Sequence, residues 1–542
     1  MLAVGIILLI SCPNVAGLML ARATARQKEV AVRMMLGAGR LRIVRQLLTE
    51  SATLSVLGGI VGVLLAYFGA HAIISFVSAN EPVAFAVGVD ARVLGFTITV
   101  SLLTGIVFGI APAFRCVRID LTPALKEGAH SSASSGFAGG KWFTVANGLV
   151  VAQVALAIVV LVFAGLLVRT LASLRTVDIG FDTHNVLSFG VSPTLLGYKG
   201  PQLENLYRDL QFRLANTPGV QSVSYSSYPL LSNALDNIFI HPQGTPPDQE
   251  SEVDLLRVGP DFFSTMRVPF LAGRNFNSLD FELSAAGLGA NPSNAPTPVI
   301  VNHRFRDEFV GKENPLGKRF GEGGASAEHP GSSGYEIVGV VRDTKFYNLR
   351  REIRPMMYEP RSSEGVFFEL RTATDPHGIL PTVRNVVAQV DANLPLAEVT
   401  TESEQIDRLL FQERLLAWFS GFFGLLALVL ACVGLYGLLS YEVARRTREI
   451  GIRMALGAKS ENVLRLVLQQ GVTLTIVGTL LGAGVALGLT RYVNSMLYGV
   501  QTDDPFTMIG AAVLLTVVAL AACYIPARRT TRVDPMVALR HE

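Results

Sequence analysis

The sequence predicts a multi-pass α-helical membrane protein of about seven spans, arranged as two parallel three-helix repeats plus one extra span, with one large α+β extracytoplasmic domain. Three observations carry this prediction. Half of the 542 residues are hydrophobic and only 16% are charged. The apolar residues gather in seven segments, near 1–20, 49–78, 93–114, 144–168, 412–440, 468–498 and 507–527. Acidic and basic residues are segregated along the chain.

Soluble domains carry about a quarter charged residues. Most of the seven segments reach about 20 residues with few charges, enough to cross roughly 30 Å of hydrocarbon as helix. Helices of soluble proteins rarely stay apolar on every face for that length. The net charge of +3 conceals the asymmetry: residues 172–410 hold 21 Lys/Arg against 29 Asp/Glu, and the remainder holds 25 against 14. Basic residues crowd the short loops after the first, third and fifth segments and the C-terminal tail, for example Arg22, Arg26 and Lys28, Arg115 and Arg118, Arg445 and Arg446, and Arg528 and Arg529. The positive-inside rule assigns these to the cytoplasm and 172–410 to the outside. The basic loops are short, flank membrane segments and lack interleaved aromatic platforms, which argues against nucleic acid as a partner.

The first segment, 1–20, is predicted to be a membrane helix. A signal peptide needs a basic residue before its apolar run, and none precedes this one. Cys12 also aligns with Cys432, inside a later span, at an offset of 420. The second copy begins its apolar stretch earlier than Met1 allows, so the chain is expected to be N-terminally incomplete. The same offset pairs Arg45 with Arg465, Thr53 with Thr473, Leu54 with Leu474, Gly58 with Gly478 and Gly62 with Gly482. Small residues at that spacing let membrane helices approach closely. At offset 414 the match resumes, with Pro112 and Pro526, Arg118 and Arg532, Asp120 and Asp534, and Ala124-Leu125 and Ala538-Leu539. Both triplets run outside to inside, a parallel repeat.

The expected organisation is therefore a first three-span repeat at 1–127, a Ser/Gly-rich cytoplasmic linker at 128–142, a single span at 143–171, an extracytoplasmic domain at 172–410 and a second repeat at 411–542. Gln153, isolated in the single span, is expected to face other helices. In the extracytoplasmic region, strands are expected at Val186–Val191, Val220–Ser226, Val299–Val301, Tyr335–Val341 and Val366–Leu370. Helices are expected near 201–215, 304–310 and 378–391, with flexible insertions around 284–297 and 321–334.

Enzymatic motifs are missing from this sequence. The nearest approach to a phosphate loop, Gly457-Ala-Lys-Ser460, has alanine between glycine and lysine and follows a helix rather than a strand. The four cysteines and eight histidines have neither zinc nor redox spacing. No cofactor and no metal is expected.

One short stretch recurs intact. Glu29-Val-Ala-Val-Arg-Met-Met-Leu-Gly-Ala38 is repeated as Glu449-Ile-Gly-Ile-Arg-Met-Ala-Leu-Gly-Ala458. Glu29 and Arg33, like Glu449 and Arg453, stand four apart with the acid first, on one helix face. Gly37 and Gly457 sit where a helix would stop. The pattern reads as a short amphipathic helix, a tight turn and then the next span. Its recurrence reads as a pair of docking elements for a two-fold symmetric partner.

This decapeptide, with the terminal Asp534-Pro-Met-Val-Ala-Leu539, resembles the permease family of MacB/FtsX-type ABC transporters, above all its long duplicated orphan permeases. Val258-Gly-Pro-Asp-Phe-Phe263, Leu271-Ala-Gly-Arg-Asn-Phe276, Asn314-Pro-Leu-Gly-Lys-Arg319 and Ile337-Val-Gly-Val-Val-Arg-Asp343 resemble the family's periplasmic core domain. The resemblance implies a non-enzymatic subunit in the cell inner membrane, among lipid, with 172–410 in the periplasm. It further implies that a cytoplasmic ABC ATPase dimer on a separate chain docks at Glu29, Arg33, Gly37, Glu449, Arg453 and Gly457. ATP hydrolysis would then move the periplasmic domain, as mechanotransmission for export. An alternative reading is a membrane scaffold that regulates a periplasmic partner protein such as a cell-wall hydrolase. Duplicated members carry a further span and external domain ahead of the segment seen here, and this chain departs from that pattern.

Overall fold

The computed structural model describes residues 5–11, 14–15, 39–78, 95–96, 98–99, 103, 145–242, 250–285, 296–322, 334–455 and 460–530. The chain divides into two compact units, Met1–Thr170 with Leu416–Glu542, and Leu171–Leu415. In chain order, α1 (Arg40–Ser78) and α2 (Val145–Arg175) come first. The α+β unit follows with β1 (Val186–Val191), α3 (Pro201–Ala215), β2 (Val220–Ser226), β3 (Asp236–His241), β4 (Ser251–Arg257), α4 (Phe262–Met266) and β5 (Phe270–Gly273). It continues with α5 (Ser278–Ala285), β6 (Thr297–Asn302), β7 (Arg319–Glu322), β8 (Tyr335–Val341), β9 (Met356–Glu359), β10 (Val366–Thr372), α6 (Pro376–Val390), β11 (Ala397–Thr401) and α7 (Glu402–Leu409). Three long helices close the order: α8 (Phe411–Ala455), α9 (Ser460–Thr490) and α10 (Pro505–Thr530).

Five of these helices, α1, α2, α8, α9 and α10, contain stretches long and apolar enough to cross a membrane. Their outward faces stay apolar: Leu57, Leu65 and Phe68 on α1, Leu480 on α9 and Ile509 and Val513 on α10 are exposed. Such surfaces fit lipid, where no water is present to reward a polar face. The other two expected spans, 1–20 and 93–114, lie mostly outside the described residues.

The described core of the membrane unit is built around α2. Val150, Val154, Ala157, Ile158, Val162 and Leu166 pack with Ala427, Ala431 and Leu435 of α8 and with Leu515, Ala519 and Cys523 of α10. The spacing of the α2 positions is the one-face repeat of a helix. Glycine sets how near the neighbours come. A Cβ on Gly478 of α9 would lie 2.6 Å from Val154 Cγ1, and one on Gly482 would lie 2.5 Å from the Ala155 carbonyl oxygen. A Cβ on Gly165 of α2 would lie 2.7 Å from Thr507 Cγ2 of α10. Gly58 and Gly62, which pair with Gly478 and Gly482 in sequence, have nothing among the described residues within 4 Å of such a Cβ.

The α+β unit contains two sheets. The smaller, β11-β1-β10-β2, is antiparallel throughout. One face holds Leu187, Phe189, Phe368 and Leu370 against Leu206, Tyr207 and Leu210 of α3 and Val383 and Val387 of α6. The larger sheet runs β5-β8-β6-β9-β4-β3-β7, and β7 pairs back onto β8. That pairing closes six strands into a ring and removes their edges, leaving β5 outside. Ile240, Val253, Val299, Val301, Ile337 and Met357 form its interior with Phe305 and Phe320.

The expected strands at 186–191, 220–226 and 335–341 form with those bounds, while 299–301 and 366–370 extend to Thr297–Asn302 and Val366–Thr372. The expected helix at 304–310 forms instead as a short α turn, His303–Phe305, and a π turn, Arg306–Val310. Asn302 starts it by accepting from the Phe305 amide at 2.9 Å. The segments 286–295 and 323–333, within the expected insertions, lie outside the described residues.

Replacing Gly482 by leucine drives a side chain into the Ala155 backbone, which has no rotamer to relax, and is expected to destabilise the membrane unit by about 1–3 kcal/mol. Gly62→Leu should be close to neutral. Thermal unfolding of the detergent-purified chain, followed by size-exclusion of the surviving fraction, separates the two outcomes.

Candidate functional site at the helix ends and connectors

Of the six residues singled out for docking, two fall on described backbone. Glu449 and Arg453 lie in the last two turns of α8. Glu29, Arg33, Gly37 and Gly457 lie outside the described residues. The second decapeptide was expected to open a separate short helix. Its first seven residues instead continue α8, a single helix of 45 residues from Phe411 to Ala455. The run from the end of the span near Ser440 contains no proline, and its Glu, Val, Ala, Arg and Met are mostly strong helix formers, so nothing stops the helix there. At 1.5 Å per residue, α8 is about 68 Å long, roughly 22 Å of it beyond Ser440.

Polar contacts hold α2 within the membrane unit at two levels. At the first, Gln153 Nε2 donates to the Leu430 carbonyl of α8 at 2.6 Å and to Asn14 Oδ1 at 3.2 Å. Asn14 Nδ2 donates to the same carbonyl at 3.1 Å. Gly434 makes room, since a Cβ there would collide with Gln153 Oε1 and Asn14 Oδ1. Gln153 therefore faces neighbouring helices, as its isolation in an apolar segment predicted. At the second level, Arg169 pairs with Asp504. Asp504 also starts α10: its Oδ2 accepts from the Thr507 amide at 2.9 Å and hydroxyl at 2.6 Å. The Arg169 guanidinium lies 5.5 Å from the Phe506 ring centroid. Sequence reasoning did not pair Arg169 with Asp504. The signal was a basic residue at the outer end of one span and an acid before another, with nothing in the order of the chain to join them.

In the α+β unit, the two segments that lead to α2 and α8 are each clamped to the sheets. After α2, Asp178 pairs with Arg342, and the Ile179 carbonyl accepts from Lys345 N at 2.9 Å. Gly180 has φ +83°, and a Cβ there would strike the Asp343 carbonyl, so glycine alone suits the turn. Asp182 then meets three partners. Arg371, 4% exposed at its side chain, reaches Asp182 Oδ2 at 3.2 Å, and Arg267 reaches it at 2.8 Å. The His184 amide donates to Asp182 Oδ1 at 3.0 Å. Arg371 also donates to the carbonyls of Thr265, Asp182 and His184, at 2.7, 2.7 and 2.8 Å. Partial burial opposes the charge on Asp182, but the His184 contacts and the two guanidiniums outweigh it and hold the carboxyl below its usual range. At the other end, Thr401 and Glu404 form a capping box at the start of α7, and Arg350 Nε lies 3.0 Å from Glu413 Oε1 in the first turn of α8. One residue, Leu410, separates α7 from α8. Among the described residues no group of three His, Cys, Asp or Glu is placed to hold a metal ion.

Residues 1–121 and 421–535 match the model of the FtsX-like permease C-terminal family. A pyoverdine export ATP-binding/permease protein of Pseudomonas syringae pv. syringae is 24% identical over 265 residues, covering 47% of this chain and 39% of the relative. A macrolide export ATP-binding/permease protein of Aeromonas hydrophila is 24% identical over 309 residues, covering 54% of this chain and 44% of the relative. Among solved structures, the periplasmic region of MacB from Actinobacillus actinomycetemcomitans aligns with 44% of this chain and 98% of its own length at 12% identity, with a TM-score of 0.28. The chain spans about two fifths of the length of these two curated relatives.

Because the folded pKa of Asp182 lies below the unfolded one, its contribution is full at neutral pH and fades as pH falls through the carboxylate range. Asp182→Asn should cost about 1–3 kcal/mol at pH 7. The gap to the unaltered chain should close below about pH 4. Thermal melts followed by circular dichroism between pH 3 and pH 8 measure both.

Proposed function

The chain belongs to the MacB/FtsX-type permease family, and on that premise we propose that it is a transport subunit coupling a cytoplasmic ABC ATPase to movement of an extracytoplasmic α+β unit. The observation that carries this reading is the recurring Glu-x-x-x-Arg-x-x-Leu-Gly-Ala element, whose second copy begins on the last turns of α8. A single helix therefore has the clamp at Glu413 near one end and Glu449 and Arg453 near the other. Force applied at the decapeptide passes along backbone hydrogen bonds, with no loop in between to absorb it.

In this reading an ATPase dimer grips the elements at 29–38 and 449–458, one per subunit. Closure of the dimer on nucleotide draws the two elements together and moves the α+β unit on the periplasmic side of the inner membrane. Substrate need not pass between the helices. No Gly-Lys-Ser/Thr phosphate loop occurs in these 542 residues, so the nucleotide chemistry is assigned outside them. The named relatives export pyoverdine and macrolides, and these two are the first compounds to test as cargo.

The test is charge reversal. The double substitution Glu449→Arg with Arg453→Glu should abolish co-purification with a co-expressed partner ABC ATPase while leaving membrane insertion intact. Undiminished co-purification refutes the docking role. Efflux measured with and without that ATPase then separates export from control of a periplasmic hydrolase: altered hydrolase activity with no change in efflux supports the scaffold reading instead.

A further inference from the structure

The smaller sheet carries a buried polar row across all four strands. Its register sets Thr400 of β11 opposite Ser188 of β1, Ser188 opposite Glu369 of β10, and Glu369 opposite Ser224 of β2. Directly opposed residues project to one face. This is the face away from Leu187, Phe189, Phe368 and Leu370, which alternate with the row. Glu369 and Ser224 are 0% exposed, Ser188 2% and Thr400 4%. Glu402, the first residue of α7, is equally buried, and its charge acts on Glu369. Four oxygens in the group have no hydrogen-bond partner: Ser188 Oγ, Ser224 Oγ, Glu369 Oε2 and Glu402 Oε2. Two carboxyls are thus enclosed with hydroxyls, and among the described residues no basic side chain pairs with either.

The surrounding charges are engaged elsewhere. Arg371, two residues along β10 on the same face, is committed to Asp182 and to three carbonyls. On α7, Glu404 binds the Thr401 amide and His377, while Asp407 and Arg408 are exposed. Neither β1 nor α4 carries an ionisable residue, and Tyr228 after β2 is bound to Asp236. Ser226 Oγ stands between two acceptors. It lies 2.7 Å from the Tyr228 carbonyl oxygen and 2.5 Å from Glu369 Oε1. A hydroxyl has one proton and a carbonyl has none to give. It donates to the Tyr228 carbonyl or to Glu369 Oε1, and a bond to Glu369 favours the carboxylate charge that burial opposes.

We propose that Glu369 and Glu402 form a proton-binding site, folded as neutral acids, whose deprotonation in alkaline medium releases α7 from the sheet. Burial raises both groups, Glu402 to about 8 and Glu369 well above its usual range, with the charge of Glu402 adding to the effect on Glu369. The closed state therefore holds protons that an opened α7 gives up. Opening is favoured as pH rises from the ordinary carboxylate range towards the folded values, by up to about tenfold per pH unit for each group. Since Leu410 alone separates α7 from α8, the site governs how firmly the start of α8 is held.

Hydrogen exchange of the full chain in lipid nanodiscs tests this. Protection of the 397–409 amides, corrected for the intrinsic rate, should fall by tenfold or more between pH 6 and pH 8. Glu369→Gln with Glu402→Gln, which mimics the neutral acids, should keep the pH 6 protection at both values. A corrected protection that does not change with pH, or a slope that survives in the double variant, overturns the proposal. If that variant does not fold, infrared spectroscopy of the unaltered chain replaces it. A carboxylic-acid carbonyl band at pH 7, weakened in Glu402→Gln and bleached at alkaline pH, supports the site, and its absence at pH 7 refutes it.

Discussion

Within the membrane unit, α2 meets its neighbours at backbone distance, and the rest of the described bundle is arranged around that approach. Hydrocarbon gives no hydrophobic drive between helices, so dispersion at close range and interhelical hydrogen bonds hold them together. Gly478 and Gly482 let α9 lie on Val154 and the Ala155 backbone, and Gly434 lets Gln153 reach the Leu430 carbonyl. A side chain at any of these positions would separate the helices and forfeit contacts along the whole seam. The polar amide of Gln153 then fixes the rotation of α2, because turning it away would leave its donors in lipid without partners.

The α+β unit solves a different problem. At its two chain connections it uses charge where the membrane unit uses glycine. Arg371 is almost fully buried and hydrogen-bonded in four directions, which ties the segment after α2 to β10 and α4. Removing one partner of such a buried ion leaves an uncompensated charge, so the clamp fails all at once. The exit through α7 is built by local capping and by Arg350 on Glu413. Beyond it, α8 has 45 residues without a break.

Much of this was legible in the residues. The long apolar segments at 49–78, 144–168, 412–440, 468–498 and 507–527 all contain helices. The strands 186–191, 220–226 and 335–341 were visible because Val, Ile, Phe and Tyr recur along each of them. The strands 236–241, 251–257, 319–322 and 397–401 were not. They are short or polar, and what makes them strands is a partner far away in sequence, as when β7 pairs with β3 and β8. The decapeptide was legible as a motif, but its residues alone do not show that its helix continues the span before it. Local patterning shows where a helix face is apolar and says little about whether two helical stretches are continuous.

The sequence by itself determined that the chain crosses a membrane several times and carries a large α+β insertion. Those properties follow from hydropathy, length and charge, which need no knowledge of neighbours. Tertiary structure alone decided which glycines matter. Gly478 and Gly482 are pressed against α2 while Gly58 and Gly62, at the same spacing, have nothing among the described residues within 4 Å. It alone brought Arg169 to Asp504, and set Glu369 in a buried row with Ser188, Ser224 and Thr400. The reason is common to all three. Each depends on distance between residues far apart in the chain, and spacing along one segment contains no measure of that distance.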